Sequence, residues 1–408
     1  MRFTKKVGKA SALLVALVVS YFLAMLLAYS FPNSMIENNV DQSLATLQSE
    51  LVDIRVTHSF GLASQLDNHT DREMINTSLK SDEVSLIQAA VVEEYSRYWH
   101  GYQVLLRPAL MLLSYDNIRM VNIFVVFILL FISAHLVAKR VNIIVALCYL
   151  GCLLISHIEI FPYSMQFANS YIVMMGAVIY VCCDKLLTAS LERQALFFIS
   201  VGSFTNFVDF LTAPLITLGL PLCVLFSILN VRASITFRRN LGTIAVGVVS
   251  WGLGYALTWI SKWVIAALLT GRSFTEIFLS SVMFRILGDD EYPLDRQAMY
   301  FANFSTMFPK IVMAILLLCI IALVLLSLRH SKWIKLGVAV APVLLLVPAP
   351  YIWYFGFANH SQIHYWFTYR AQSVAVLAVL CYIAMMIDVD KIRFLKDRQS
   401  AKLPNLTS

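Results

Sequence analysis

Residues 11–30 read SALLVALVVSYFLAMLLAYS, twenty positions without a charge, with Arg2, Lys5, Lys6 and Lys9 ahead of them. At about 1.5 Å of rise per residue, twenty apolar residues in a helix cross the roughly 30 Å hydrocarbon core of a bilayer. Secretion signals also open on basic residues and an apolar run. Here FPNSMIENN (31–39) follows, with no small-x-small cleavage pattern. The stretch is therefore expected to stay on the chain as a membrane anchor.

The composition of the whole chain agrees. Of 408 residues, 59% are hydrophobic and 13% charged, against about 45–50% and about 25% in soluble domains. Mean hydropathy is +0.74. Further apolar runs fall at about 119–137, 141–158, 169–183, 195–212, 214–230, 241–261, 309–328, 336–354 and 372–388. The expected fold is an all-α polytopic membrane protein, a single integral domain over 1–408 with about ten transmembrane helices. Pro214 and Pro221 leave two readings of 195–230, as two spans or as a re-entrant hairpin.

Loop charges orient the bundle. With the amino terminus placed in the cytoplasm, the inner ends and loops hold 19 of the 31 basic residues and 5 of the 24 acidic ones. That is the bias of cytoplasmic loops. Both termini are expected inside, the second within a basic tail at 389–408. The net charge of +7 is then mostly an orientation signal and calls for no nucleic-acid partner. All seven cysteines lie within or at the ends of apolar runs, so no disulfide framework is encoded. Cys148 and Cys152 share a helix face and read as small residues between helices.

Polar mass gathers on the outer side, in loops 31–118, 262–308 and 355–371. Charges in the spans are confined to the outer ends, at Arg119, Glu159, Asp209, Lys262 and Lys310. Ion-coupled transporters carry ionisable groups deep in the bilayer, so this pattern argues against a secondary transporter and leaves open a flippase with a hydrophilic groove. In the first loop, Ile36, Val40, Leu44, Leu47, Leu51 and Ile54 recur at helical spacing. They predict an amphipathic helix on the membrane surface, and Ser34 with Glu37 matches a capping box. The segment DNHTDRE (67–73) reads as loop. In the second outer loop, Phe274 to Leu287 predicts an apolar interfacial helix stopped by Gly288, followed by the acidic turn Asp289, Asp290, Glu291 and by Pro293.

Three clusters could carry chemistry. Glu37 and Asp41 stand four apart on one helix face, where either could act as a general base; otherwise Glu37 caps the helix and Asp41 is solvated. YSRYWHGYQVLLRP (95–108) places Arg97, His100 and Arg107 among aromatics that anchor a chain at an interface. Arginine binds phosphate through a planar fork. ANHSQIHYWFTYR (358–370) carries His360, His364, Tyr369 and Arg370. The two histidines, four apart, could ligate zinc on a helix, but no HExxH pattern accompanies them. With Arg370 they would form a phosphate pocket at headgroup depth, or else an interfacial girdle.

An anchor, then an outer loop opening with an acid-bearing helix, then many spans with short inner loops resembles the membrane glycosyltransferases of the GT-C class. The resemblance implies a polyprenyl-phosphate sugar donor, an envelope glycan, lipid or protein as acceptor and, as is usual in the class, inversion at the anomeric carbon; no cofactor is expected. It matches the base to Asp41 or Glu37; the candidates for the lipid phosphate are then the basic groups Arg97, His100, Arg107, His360, His364 and Arg370. Asp209 and Tyr369 would bind the sugar or orient an arginine. The class often has adjacent or alternating acids, whereas here they are four apart. The stretches SRYWHGYQVLLRP, NFVDFLTAPLITLGLPL and NHSQIHYWFTYR also look like those of uncharacterised multi-span bacterial envelope proteins, which implies the bacterial cytoplasmic membrane. No glycine-rich phosphate loop occurs, and a lipid-phosphate sugar brings its own leaving group. Two other classes stay open: a translocator of lipids or lipid-linked glycans, and a non-enzymatic envelope assembly protein.

Overall fold

A computed structural model describes residues 2–50, 61–81, 83–92, 96–232, 236–328 and 333–387. Leu51, Ile54, Tyr95, Arg329, Lys332 and the basic tail 389–408 lie outside the described residues. The described residues are predominantly helical. Among the described residues there is no strand, only an isolated bridge between Gly288 and Pro293.

The anchor is α1 (Arg2–Ser30). The first loop folds into α2 (Glu37–Ser49), α3 (Asn68–Asn76), α4 (Leu86–Val91) and α5 (Gln103–Leu110). Then come α6 (Tyr115–Arg140), α7 (Ile143–Ile155), α8 (Met165–Cys183), α9 (Leu191–Val208), α10 (Leu215–Arg232) and α11 (Phe237–Thr270). The second loop forms α12 (Phe274–Leu287) and α13 (Arg296–Met307), and α14 (Lys310–Ser327) follows. The chain ends in α15 (Trp333–Val340), α16 (Ala349–Gly356), α17 (Ala358–Ile363), α18 (Tyr365–Thr368) and α19 (Ser373–Ala384).

Each expected apolar run is helical, and seven helices are long and apolar enough to cross a membrane: Lys6–Ser30, Tyr115–Arg140, Met165–Cys183, Phe237–Thr270, Lys310–Ser327, Trp333–Gly356 and Tyr365–Ala384. The runs at 141–158 and 214–230 become the shorter apolar helices Ile143–Ile155 and Leu215–Val231. The run at 195–212 becomes α9, which opens on Glu192, Arg193 and Gln194. α7 stops early because His157 takes a left-handed conformation (φ 60°) and turns the chain into a 3₁₀ segment, Ile158–Tyr163. α9 and α10 are two separate helices of 18 residues.

The bundle is built around α10, which is buried over residues 215–230. A helix apolar on every side belongs in a core. Close packing of α9 on α11 rests on glycine. A Cβ at Gly202 would lie 2.2 Å from the Trp251 carbonyl oxygen, and one at Gly254 2.2 Å from that of Ile199. Small residues let helix backbones approach where no hydrophobic effect drives helices together. By contrast α14 buries only Ser327 and turns its apolar surface outward, as a lipid-facing helix does.

The loop-rich end is packed protein. Ile36, the N-cap of α2, and Val40 and Leu47 within it are buried against Met74, Ile75, Leu106, Leu110 and Tyr115. The apolar stripe of α2 thus packs on its neighbours, where the sequence suggested a helix lying on the membrane surface. The Ser34–Glu37 capping box is not formed: Ser34 sits in a 3₁₀ turn and the N-cap is Ile36. DNHTDRE is helical, because Asp67 caps α3 by accepting from Thr70 N at 3.0 Å. Asp71 then joins α3 to the start of α8, accepting from Met165 N (3.1 Å), Gln166 N (3.0 Å) and the Tyr115 hydroxyl. Phe274 to Leu287 is helical as expected and ends at Gly288, the cap at φ 71°.

Candidate functional site

A cavity of about 730 Å³ opens at the loop-rich end. Its wall draws on every loop of that end. α3 brings Asp67, His69 and Glu73, the 98–102 segment Tyr98, His100 and Tyr102, α12 Arg285, and the last loop His360, His364 and Phe367. Tyr29, Val84, Ala89 and Val92 form an aromatic and apolar part near α1 and α4.

Local backbone sets these groups. His100 is left-handed (φ 56°), and Gly101 next to it donates from its N–H to the Phe207 carbonyl at 2.8 Å. A Cβ on Gly101 would meet the Phe207 ring at 2.4 Å, so only glycine lets this turn sit against α9. His100 Nδ1 lies 3.0 Å from the Tyr102 hydroxyl. Arg285 donates from Nε and Nη2 to the Tyr98 hydroxyl, at 3.0 and 2.6 Å, and Tyr98 stacks on Trp259. The aromatics of 98–102 are therefore interior supports: Trp99 is fully buried and donates to the Thr258 carbonyl at 2.8 Å.

His360 Nε2 lies 3.1 Å from the carbonyl of Leu211, itself left-handed at φ 66°. A carbonyl only accepts, so Nε2 carries the proton and Nδ1 keeps its lone pair. The His360 and His364 rings are 4.8 Å apart, and His364 stacks on Phe367. Burial, then the nearby basic groups, pushes the His360 pKa well below the usual histidine range and that of His364 down to about 4. Both are neutral at neutral pH. Among the described residues no three His, Cys, Asp or Glu side chains come together as metal ligands, so the pair lacks a third ligand.

Of the groups singled out in the sequence, His100, His360 and His364 meet in the cavity. Arg107 does not. It is fully buried and donates to the carbonyls of Ala28 (2.8 Å), Phe31 (2.6 Å) and Ser78. Arg370 likewise donates to the carbonyls of Ser156 and Ala63 at 3.2 Å each, and the Tyr369 hydroxyl to Ala63 at 3.0 Å. These three hold backbone together. Arg97 lies outside the cavity lining, and its carbonyl accepts from Trp259 Nε1 at 2.8 Å. Asp209 is buried, accepts from the Ser170 hydroxyl at 2.5 Å and belongs to no ion pair among the described residues. Glu37 and Asp41 stand on the exposed face of α2, outside the cavity lining.

Arg285, Asp67, His69, Glu73 and Lys80 are cavity groups that the sequence reading passed over. The signals existed. Arg285 is the lone basic residue of an apolar helix, and Asp67 with Thr70 is a helix start.

Fold and site together define an all-helical protein of candidate membrane spans with a polar cavity at one end of the bundle. No protein family, curated protein or solved structure matches the chain.

Proposed function

We propose that this chain is a glycosyltransferase of the bacterial cytoplasmic membrane. It transfers a sugar from a polyprenyl-phosphate carrier to an envelope acceptor on the outer face. In this reading α7, α9 and α10 cross the membrane with the seven longer spans, so that ten crossings leave both termini inside. The observation that carries the proposal is the cavity, where all three loops assigned to the outside converge on one basic and carboxylate-bearing wall. Its volume suits a sugar phosphate, since small-molecule sites run to about 300–1,000 Å³.

Arg285 and Lys80, both in the cavity lining, supply the positive field for the phosphodiester. The apolar part at Tyr29, Val84 and Ala89 receives the first isoprene units. The carboxylates in the cavity are Asp67 and Glu73. Asp67 is engaged with Thr70 N and Oγ1, at 3.0 and 2.8 Å. Among the described residues the Glu73 carboxylate accepts only a long bond from Asn76 Nδ2, at 3.4 Å, and so takes over from Asp41 and Glu37 as candidate base.

The exposure of Glu37 and Asp41 outside the cavity also favours a second reading, a non-catalytic assembly protein that holds a lipid-linked glycan. Mass spectrometry of envelope glycans separates the two. A deletion strain should lose one sugar that wild type restores and Glu73→Gln, at equal membrane abundance, does not. Full restoration by Glu73→Gln removes Glu73 as base. Unchanged glycans in the deletion overturn the transferase reading.

A further inference from the structure

We propose that His360 Nδ1 is the hydrogen-bond acceptor for a hydroxyl of the bound ligand, making the cavity selective for a sugar-bearing phosphodiester over the same lipid phosphate without a sugar. The assignment rests on the lipid-linked sugar phosphate proposed above and adds which protein atom recognises the sugar.

Three observations converge on this atom. First, the ring is locked. Its Nε2–H is committed to the Leu211 carbonyl at 3.1 Å, and Leu211 turns that carbonyl by adopting φ 66°, unusual for a branched side chain. Backbone held in a sparsely populated region persists where the surroundings impose it, and such positions cluster at functional sites. Second, the ring belongs to the cavity. His360 lines it, and with Nε2 turned to Leu211 the ring presents Nδ1 as a lone pair. Third, the ring is kept neutral. It is 4% exposed, it lies against His364 and Phe367, and Arg285 shares the cavity. A second proton on it would add a buried charge beside a permanent one.

A neutral lone pair repels a phosphodiester, whose oxygens only accept. It attracts an O–H. Arg285 and His360 therefore divide the ligand between them, the guanidinium taking the anion and the imidazole a hydroxyl. A site built to bind a hydroxyl discriminates strongly against the analogue lacking it, because the protein acceptor is then left unpaired.

The test is binding to the purified full chain in detergent. The probes are farnesyl phosphodiesters of glucose, mannose, galactose and N-acetylglucosamine, and farnesyl methyl phosphate, which has the same charge and lipid but no sugar. Wild type should bind at least one sugar probe about tenfold more tightly than the methyl ester. His360→Phe should erase that preference and leave affinity for the methyl ester unchanged. Binding of all probes alike by wild type overturns the inference but not the phosphodiester site, and binding of none overturns both. Nitrogen NMR of wild-type protein labelled in histidine, with the His360 resonances assigned by the milder change His360→Gln, gives a check that survives a misfolded His360→Phe. A proton on Nε2 with Nδ1 bare, and an Nδ1 resonance that moves with the sugar probe but not the methyl ester, is expected. A proton on Nδ1 overturns the proposal.

Discussion

Arg107 and Arg285 carry the same guanidinium and are put to opposite uses. The Arg107 fork is filled by carbonyls of Ala28, Phe31 and Ser78, the last orphan acceptors of α1 and of the turn after α3. A lysine cannot span three acceptors in one plane. Arg107→Leu should cost about 3 kcal/mol, because buried carbonyls lose their donors. Arg285→Gln loses the paired bonds to Tyr98, so it should cost about 1–2 kcal/mol, less than Arg107→Leu, and weaken binding of a phosphodiester several-fold. Thermal unfolding in detergent together with the farnesyl probes checks both. Equal destabilisation by the two changes would place Arg285 among the structural arginines.

The loop-rich end holds its shape through α3, an element of nine residues. It is too short to be stable alone. Asp67 caps it from within, while its apolar face and Asp71 fasten it to neighbouring segments. Burial raises the Asp71 pKa from 3.8 to about 6, against hydrogen bonds from Tyr115 and Gln166 that lower it. The folded chain therefore binds this proton more tightly than the unfolded chain. Its contribution is complete below about pH 4, falls as pH rises through 6, and is level above. The span is on the order of 3 kcal/mol. Melting of wild type and Asp71→Asn compared from pH 4 to 7.5 should show wild type losing relative stability between 4 and 6.5. A constant difference across that range would mean the carboxyl is ionised throughout.

At the scale of the molecule, the loop-rich end should face outward. Single cysteines placed at Glu73 and at Arg238 test this in intact cells with a membrane-impermeant maleimide. Labelling at position 73 and protection at 238 until the membrane is opened is expected. The reverse pattern would turn the cavity to the cytoplasm, where no outer-face transfer could use it.

The class of the protein was legible in the chain, because apolarity over twenty residues is a local property and a bilayer reads it locally. The same holds for α12, whose stop at Gly288 is written in one residue. Locally ambiguous stretches misled: DNHTDRE looks like loop until Asp67 is seen capping Thr70, and the α2 stripe says that a face is buried without saying against what. The cavity was half legible. His100, His360 and His364 stood out as polar groups among aromatics, yet Arg107 and Arg370 stood out equally and are spent on carbonyls from distant segments. A side chain's type sets what it can bind. Whether it reaches a ligand or a carbonyl depends on which remote segments the fold brings within about 3 Å, and only the tertiary structure decides that.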